Sequence, residues 1–428
     1  MGWEDEKSSQ PVFCQPGLEM KRSNRNRNKI SPIYLLSGLL VLIAVICLAS
    51  DKPASTEAWS VRMTESVMQR NPLPWTIDPA NEAKWEYTYG LVLKAVLQVW
   101  VKTGDQRYFH YVDSYYEHFI DDSGRILTYQ PDEYNIDRIN SGKPLFNLYR
   151  TTGKEKYKKA LMQLRQQMQT HPRTQSGGFW HKKIYPHQMW LDGIYMASPF
   201  LAEYAQVFNE PTLFDDIAKQ IILIEEKTRD AGTGLLYHGW DESRQQAWAN
   251  PQTGCSSQFW GRAVGWYAMA LVDVLDYLPV DHPQRPQIIA ILKRLSKAII
   301  KVQDPATGLW YQVLDKGGKP GNYLESSTSC MFVYSLAKGV RQGYLEPDYL
   351  IVAQKGYRGI LDKFIEIDST GSVNITQACA VAGLGGKPYR DGSYAYYIST
   401  KIATNDPKAV GPFILASLEM ELLNNRKK

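Results

Sequence analysis

MWLDGIYMASPFLAEYAQVF, residues 189–208, has the length of a helix and is apolar or aromatic on almost every side. A helix at the surface keeps one polar face, so a helix of this composition is expected to be packed on both sides. Three further stretches have the same character: LFNLYR (145–150), FWGRAVGWYAMALVDVLDYL (259–278) and CMFVYSLAKGV (330–340). We predict that these stretches are the inner helices of an all-α domain.

A second set of segments has apolar residues three and four positions apart, with charged residues on the opposite side. They are TGDQRYFHYVDSYYEHF (103–119), TGKEKYKKALMQLRQQM (152–168), EPTLFDDIAKQIILIEE (210–226) and EPDYLIVAQKGYRGIL (346–361). This period is typical of amphipathic helices with one solvated face. We predict that they are outer helices packed around the inner ones.

A glycine-aromatic phrase recurs along the chain and marks an internal repeat. It begins at Gly124, Gly178, Gly234 and Gly308, with a weaker copy at Gly371, so the separations are 54, 56, 74 and 63 residues. Adding a helix pair at 58–69 and 85–102 gives about six helical hairpins. We therefore predict an (α/α)6 barrel with short loops or β-hairpins at one rim. An open-ended solenoid is the structural alternative.

The N-terminal residues form two segments that differ from the rest of the chain. Residues 1–30 are basic towards their end, and residues 31–50 contain no charged side chain. Twenty apolar residues after a basic cluster indicate either a transmembrane anchor or the apolar part of a signal peptide. Either interpretation predicts that the segment engages the membrane or the export machinery. The catalytic domain, residues 57–428, is then expected outside the cytoplasm, periplasmic or membrane-anchored.

Charge and cysteine content exclude some functional classes. The net charge is +5, of which residues 1–50 contribute +2, so the large domain is close to neutral and has no nucleic-acid footprint. Its cysteines, Cys255, Cys330 and Cys379, are widely spaced and are interpreted as buried thiols. One disulfide remains an option if the domain is exported. No metal or other cofactor is expected.

Two aspartates interrupt apolar segments at equivalent points of the repeat. Asp137 lies 13 residues after Gly124, and Asp192 lies 14 residues after Gly178. Carboxylates at matching points of adjacent inner helices are expected to meet at the rim, as paired acid/base chemistry on a sugar requires. Asp137 could equally be a helix N-cap. Asp192 lies among aromatic residues, an environment that favours a protonated carboxyl group.

Further polar and aromatic candidates fall on the same rim. They are His181, Lys182, Trp190, His238, Trp260 and Arg262. The Arg262 guanidinium could bind a carboxylate at two points, or it could form a structural ion pair, for instance with Asp192. His238 could be a capping or core histidine.

Several motifs together resemble a known family. YNIDRINSGKPLFNLY, QMWLDGIYMASPFLAEY, LLYHGWDES, WGRAVGWYAMALVDVL and RDGSYAYYIS occur in this order over roughly residues 57–425. In combination they resemble glycoside hydrolase family 105, the unsaturated rhamnogalacturonyl hydrolases. They are more distantly similar to the unsaturated glucuronyl hydrolases of family 88. The resemblance implies an (α/α)6 barrel and no cofactor.

The resemblance also implies an unusual reaction and a role for each candidate. The substrate is an oligosaccharide whose terminal uronic acid has a double bond between carbons 4 and 5. An aspartic acid protonates carbon 4 and directs water to carbon 5, and the product hemiketal opens and expels the leaving sugar. Asp192 would be this acid and base, and Asp137 would hold the substrate or tune Asp192. Trp190, His238, Trp260 and Arg262 would line the sugar and uronate sites, while His181 and Lys182 would bear on substrate choice.

Two other functions remain open at the level of sequence. The same barrel hosts inverting glycosidases that act on saturated sugars, as well as sugar epimerases. An epimerase would favour histidines as acid and base, and this chain has only seven. An exported glycan-binding protein without turnover would account equally well for the 12 tryptophans and 27 tyrosines.

Overall fold

The structure, a computed structural model, describes residues 57–425. The basic segment 1–30 and the apolar segment 31–50 lie outside these residues. In chain order the helices are α1 (Trp59–Arg70), α2 (Tyr87–Thr103), α3 (Gln106–Phe119), α4 (Lys143–Thr152), α5 (Glu155–Thr170), α6 (Leu191–Val207), α7 (Leu213–Thr228), α8 (Gly261–Val274), α9 (Arg285–Lys301), α10 (Ser326–Arg341), α11 (Tyr349–Lys363), α12 (Tyr394–Ile398) and α13 (Pro407–Asn425). No helix in this part of the chain combines the length and apolar character needed to cross a membrane.

Six helical segments form a closed inner ring. Around the ring, α2 packs on the 3-10 segment Ile136–Gly142 that leads into α4, and that segment packs on α6. Helix α6 then contacts α8, α8 contacts α10, α10 contacts α13, and α13 returns to α2. This closure is the predicted (α/α)6 barrel, so the open solenoid is wrong.

The outer helices cover the ring from outside. Helices α3, α5, α7, α9 and α11 each pack on the inner segment that precedes them in the chain. The sixth pair differs from the predicted sequential hairpin, because α1 packs mainly on α13 rather than on α2. The hydroxyl of Ser60 donates to Glu421 Oε2 at 2.7 Å. The two ends of the domain therefore complete the barrel together.

Short turns join each inner helix to its outer partner. Helices α2 and α4 end at Gly104 and Gly153, whose φ angles are +74° and +68°. This left-handed conformation terminates a helix and favours glycine because it has no Cβ. The Thr-Gly pair with which the segments 103–119 and 152–168 both begin is therefore the end of the preceding inner helix, not the start of the outer one.

The longer connections, from outer to inner helices, lie at the opposite rim and contain the glycine-aromatic phrases. Gly124, Gly234, Gly308 and Gly371 all have positive φ, and each amide donates to a carbonyl three or four residues earlier. In the second phrase the left-handed glycine is Gly177, one residue before the expected one. The phrases are tight turns, and β-bridges flank those at Gly124, Gly177 and Gly234, as predicted.

Three small antiparallel sheets also lie in the connections. They pair β1 (Gln188–Trp190) with β2 (Gly239–Asp241), β3 (Ile365–Ile367) with β4 (Val373–Ile375), and β5 (Ala378–Cys379) with β6 (Ile402–Ala403). The three cysteines of residues 57–425 are buried free thiols, as predicted.

A cavity of about 590 Å³ occupies the other end of the barrel, where the inner helices finish. Its charged side chains pair largely with one another. Lys338 Nζ lies 2.7 Å from Asp273 Oδ1 and 2.6 Å from Asp276 Oδ2. None of the predicted site residues lines this cavity, so the candidate chemistry is confined to the rim with the long connections.

Candidate active site

The candidate site is built around the beginning of α6. Strands β1 and β2 pair antiparallel, with Met189 opposite Trp240. The amide of Leu191 donates to the carbonyl of His238 at 3.0 Å. This pairing holds the second and third repeats together, so that Asp192, in the first turn of α6, meets the side chain of His238.

Asp192, His238 and Tyr397 form a buried polar chain. Asp192 Oδ2 lies 3.2 Å from His238 Nε2, and His238 Nδ1 lies 2.7 Å from the hydroxyl of Tyr397. The Tyr397 hydroxyl thus holds the ring so that Nε2 faces Asp192 Oδ2, and neither of these two atoms has a hydrogen-bond partner within residues 57–425. His238 is fully buried, whereas the Asp192 side chain keeps 13% of its exposure. Asp192 Oδ2 is itself buried, so Asp192 Oδ1 is the oxygen that a substrate can contact.

Asp137 lies in a second polar group on the neighbouring inner segment. Its Oδ2 is 2.7 Å from Lys182 Nζ, and its Oδ1 is 3.5 Å from His181 Nε2. The N-cap of this 3-10 segment is Asn135, whose side chain accepts from the Asp137 amide at 3.1 Å. The alternative in which Asp137 serves as a helix cap is therefore wrong, and its carboxylate belongs to the site.

The charges in this second group are set by competition between burial and ion pairing. Burial alone would raise the pKa of Asp137, but Lys182 and His181 outweigh it and lower that pKa below its usual range. Burial would lower the pKa of Lys182, but Asp137 raises it above the usual value. Burial lowers the pKa of His181 to about 4 despite the neighbouring carboxylate. At neutral pH Asp137 is therefore ionised, Lys182 is charged and His181 is neutral.

His181 connects the two groups. Its ring stacks on Trp190 at a centroid distance of 4.2 Å, and a Cβ added to Gly193 would lie 3.2 Å from its Nδ1. Its Nε2 lies 3.5 Å from Asp137 Oδ1, and Trp190 also packs on His238, which lies beside Asp192. The rings of His181, Trp190 and His238 thus connect the two predicted aspartates.

The two predicted tryptophans are buried against protein rings. Trp190 stacks on Tyr185 at 5.0 Å in addition to His181, and is 5% exposed. Trp260 packs on His238 at 4.8 Å and on Tyr397 at 5.8 Å, and is 1% exposed. Both support the site from behind rather than presenting an open face to a sugar.

Arg262 differs from its predicted contact with a substrate carboxylate. The side chain is 1% exposed, and its Nε donates to Ser327 Oγ at 2.8 Å. Its Nη2 forms an ion pair with Glu325 Oε1 at 3.4 Å and donates to the carbonyl of Cys379. The structural ion pair considered from the sequence is present, with Glu325 rather than Asp192, because α8 packs on α10.

Three residues of this site were not found by the sequence argument. Tyr397 hydrogen bonds to His238, and Tyr185 and Arg390 lie beside Trp190. Tyr397 and Arg390 belong to the RDGSYAYYIS motif, which gave no role because it lies about 200 residues from Asp192 in the chain. In residues 57–425 no three His, Cys, Asp or Glu side chains are grouped in a manner suited to a metal ion.

A closed six-hairpin barrel with two aspartates at its rim is an architecture that glycoside hydrolases use. The profile of Glycosyl Hydrolase Family 88 matches residues 59–424, and the chain belongs to this family. A solved glycoside hydrolase of family 105 from Clostridium acetobutylicum ATCC 824 is 47% identical, with a TM-score of 0.83, covering 86% of this chain and 100% of that one. The resemblance to families 105 and 88 is therefore confirmed.

More distant relatives agree with this assignment. The unsaturated rhamnogalacturonyl hydrolase YesR of Bacillus subtilis is 25% identical over 72% of this chain and 84% of its own length. The unsaturated glucuronyl hydrolase of Bacillus sp. GL1 is 14% identical, with a TM-score of 0.63, covering 85% of this chain and 95% of that one, and shows the shared fold. The Bacillus subtilis relative supports unsaturated uronyl hydrolase activity, whereas the 14% identical structure supports the fold alone.

Proposed function

We propose that this enzyme removes a 4,5-unsaturated uronic acid from the non-reducing end of acidic oligosaccharides produced by a lyase, with unsaturated rhamnogalacturonan as the source. The observation that carries the proposal is Asp192 on the buried His238–Tyr397 chain, beside an ionised Asp137. The name of the Bacillus subtilis relative favours rhamnogalacturonan.

The geometry suits hydration of a vinyl ether. Asp192, as a neutral acid, gives its proton to carbon 4, and the electron-poor carbon 5 then accepts a water molecule. The Asp192 carboxylate takes the proton that this water releases, so the acid is regenerated. The resulting hemiketal opens and the leaving sugar departs. His238, 3.2 Å from Oδ2, positions the carboxyl group, and Asp137, paired with Lys182, helps to hold the substrate.

The decisive experiment measures loss of the ultraviolet absorbance of the unsaturated uronate. The substrate is lyase-digested rhamnogalacturonan, compared with unsaturated disaccharides from ulvan and glycosaminoglycans. We expect turnover by the wild type and a loss of roughly 10²–10⁴-fold in Asp192→Asn, with the fold retained. Asp362→Asn, which alters an exposed carboxylate on α11, serves as the control. Near-normal turnover in Asp192→Asn would remove Asp192 from this role.

The same assay separates the alternatives. Preferred turnover of a saturated glycoside would indicate an ordinary inverting glycosidase. Binding of the oligosaccharide without release of monosaccharide would indicate a glycan-binding protein.

We further propose that residues 1–50 place this domain outside the cytoplasm, which the basic segment and the uncharged segment that follows it support. Protease added to spheroplasts, which lack the outer barrier of the cell, is expected to degrade the domain of an anchored protein. N-terminal sequencing of the mature protein distinguishes cleavage near residue 50 from an intact anchor. A full-length chain that stays protected in spheroplasts would contradict the proposal.

A further inference from the structure

The uronyl substrate of the proposed function carries a carboxylate, so the rim should contain a cation that is free to pair with it. Three of the rim cations are already paired with protein carboxylates. Lys182 lies 2.7 Å from Asp137, Arg138 lies 2.8 Å from Glu86, and Arg262 lies 3.4 Å from Glu325. Each of these positive charges is balanced within the protein.

Arg390 differs from those cations. Its side chain is half-buried, and within residues 57–425 no carboxylate forms an ion pair with it. Its Nε donates to the carbonyl of Gly385 at 2.8 Å, and its Nη2 donates to the hydroxyl of Tyr185 at 2.7 Å and to the carbonyl of Leu384 at 3.1 Å. These bonds orient the guanidinium without neutralising it, and Nη1 has no acceptor in the described part of the chain.

The position of Arg390 links it to the candidate catalytic group. Its Cζ is 5.8 Å from the ring centroids of both Trp190 and Tyr185. Trp190 in turn packs on His181 and His238, which contact Asp137 and Asp192 respectively. Lys183 also lacks an ion pair within residues 57–425, but it is exposed and lies over Tyr134 instead of Trp190.

We propose that Arg390 binds the carboxylate of the unsaturated uronyl sugar and is a specificity-determining residue of this site. A guanidinium presents parallel N–H groups that match the two oxygens of a carboxylate, and partial burial strengthens the pairing. Tyr185 is a positioning residue, because its hydroxyl holds Nη2 and its ring packs on Trp190. This inference rests on the proposed function and names the group that would select an acidic substrate.

The test compares an unsaturated uronyl disaccharide with its methyl ester, which has the same ring and double bond but no charge. In Arg390→Gln we expect KM for the acid to rise roughly 10–100-fold, with little change for the ester, so the preference for the acid is lost. Arg390→Lys should recover part of this preference because it restores the charge but not the planar fork. Lys387→Gln, which removes an exposed charge from the same loop, should behave as the wild type.

A second variant covers the case in which Arg390→Gln does not fold. Tyr185→Phe keeps the ring on Trp190 and removes the hydroxyl that holds Arg390 Nη2. It should therefore raise KM for the acid, but by a smaller factor than the loss of Arg390 itself does. An unchanged ratio of acid to ester turnover in folded Arg390→Gln, or in Tyr185→Phe when the first variant is unfolded, overturns the proposal. Absence of turnover by the wild type on the unsaturated acid is a different result, because it overturns the proposed function itself.

Discussion

At the scale of single residues, the two aspartates lie in environments that separate their tasks. Asp137 is paired with the ammonium of Lys182, which keeps its carboxylate charged. Within residues 57–425 no lysine or arginine forms an ion pair with Asp192, whose close ionisable neighbour is His238. A carboxyl group that must deliver a proton is better placed away from a fixed cation, which would favour its ionised form.

Tyr397→Phe is expected to lower kcat roughly 10–100-fold and to change KM little, as is usual when a partner behind a functional group is lost. The substitution removes the hydroxyl on His238 Nδ1 but keeps the ring that packs on Trp260. Steady-state kinetics on the unsaturated disaccharide measures the effect. Tyr357→Phe, which removes a hydroxyl bonded to Ser417 between α11 and α13, is the matched control. Equal kcat in the two variants would contradict the role given to His238.

Lys182→Met is expected to move the acidic limb of the kcat/KM profile to higher pH by roughly one to two units. Lys182 lowers the pKa of Asp137, so its loss raises that pKa, and a higher pH is then needed to ionise the carboxylate. The pH dependence of kcat/KM between pH 4 and about 8 measures the shift. An acidic limb that stays in place would show that Asp137 does not need to be ionised.

At the scale of elements, the glycines explain the repeat in the sequence. Each connection from an outer helix to the next inner segment begins with a tight turn, and glycine accommodates the left-handed backbone there. An aromatic side chain that follows the turn, such as Tyr129, Phe179 or Trp310, is buried in the core of the barrel. The glycine repeats in the sequence because the same turn recurs in the structure. The polar residues after each turn differ from one repeat to the next, and they form the site.

Gly308→Ala is expected to lower the free energy of unfolding more than Gly104→Ala. The two glycines have φ angles of +76° and +74°, so the cost of placing alanine in the left-handed region, roughly 1 kcal/mol, is shared. A Cβ at Gly308 would lie 2.7 Å from the Lys355 carbonyl oxygen, whereas a Cβ at Gly104 would have no atom within 4 Å. Urea unfolding of the two variants measures the difference. Equal losses of stability would show that α11 moves to relieve the contact.

At the scale of the whole molecule, closure of the ring brings the rim connections from distant repeats together. Helix α1 packs on α13 and completes the sixth pair. The site draws on residues from 137 to 397, because the connections that lead into successive inner segments converge at one rim. Several of its polar groups are buried on folding, and stability should therefore depend on pH.

The free energy of unfolding is expected to fall as pH decreases from about 6.5 to 4. Burial lowers the pKa of His171 and of His181 to about 4 in the folded protein, compared with about 6.5 in the unfolded chain. The unfolded state therefore binds more protons in this window and gains stability as protons become available. Each histidine contributes on the order of 3 kcal/mol at full effect.

Urea unfolding at several pH values measures this dependence. His171→Gln should make the slope shallower, because one of the groups that titrate in this window is lost, while its bond to the Trp180 carbonyl is removed at every pH. A slope that is unchanged in this variant would exclude His171 as a contributor.

The amino-acid sequence by itself determined the helical periods, the glycine turns and the number of repeats, because these depend on spacing along the chain. It also singled out Asp137 and Asp192, since polar residues inside apolar helices are uncommon. The comparison with relatives confirmed the family to which these motifs pointed.

Only the tertiary structure decided how those residues are used. The sequence left open whether Arg262 meets a substrate, and Glu325 engages it because α8 and α10 pack together. Tyr397 and Arg390 belong to the site because the connection that contains them contacts His238 and Tyr185 in the folded protein. Ion pairs and hydrogen bonds depend on distances in space, and the distance between residues 200 positions apart is set by closure of the barrel.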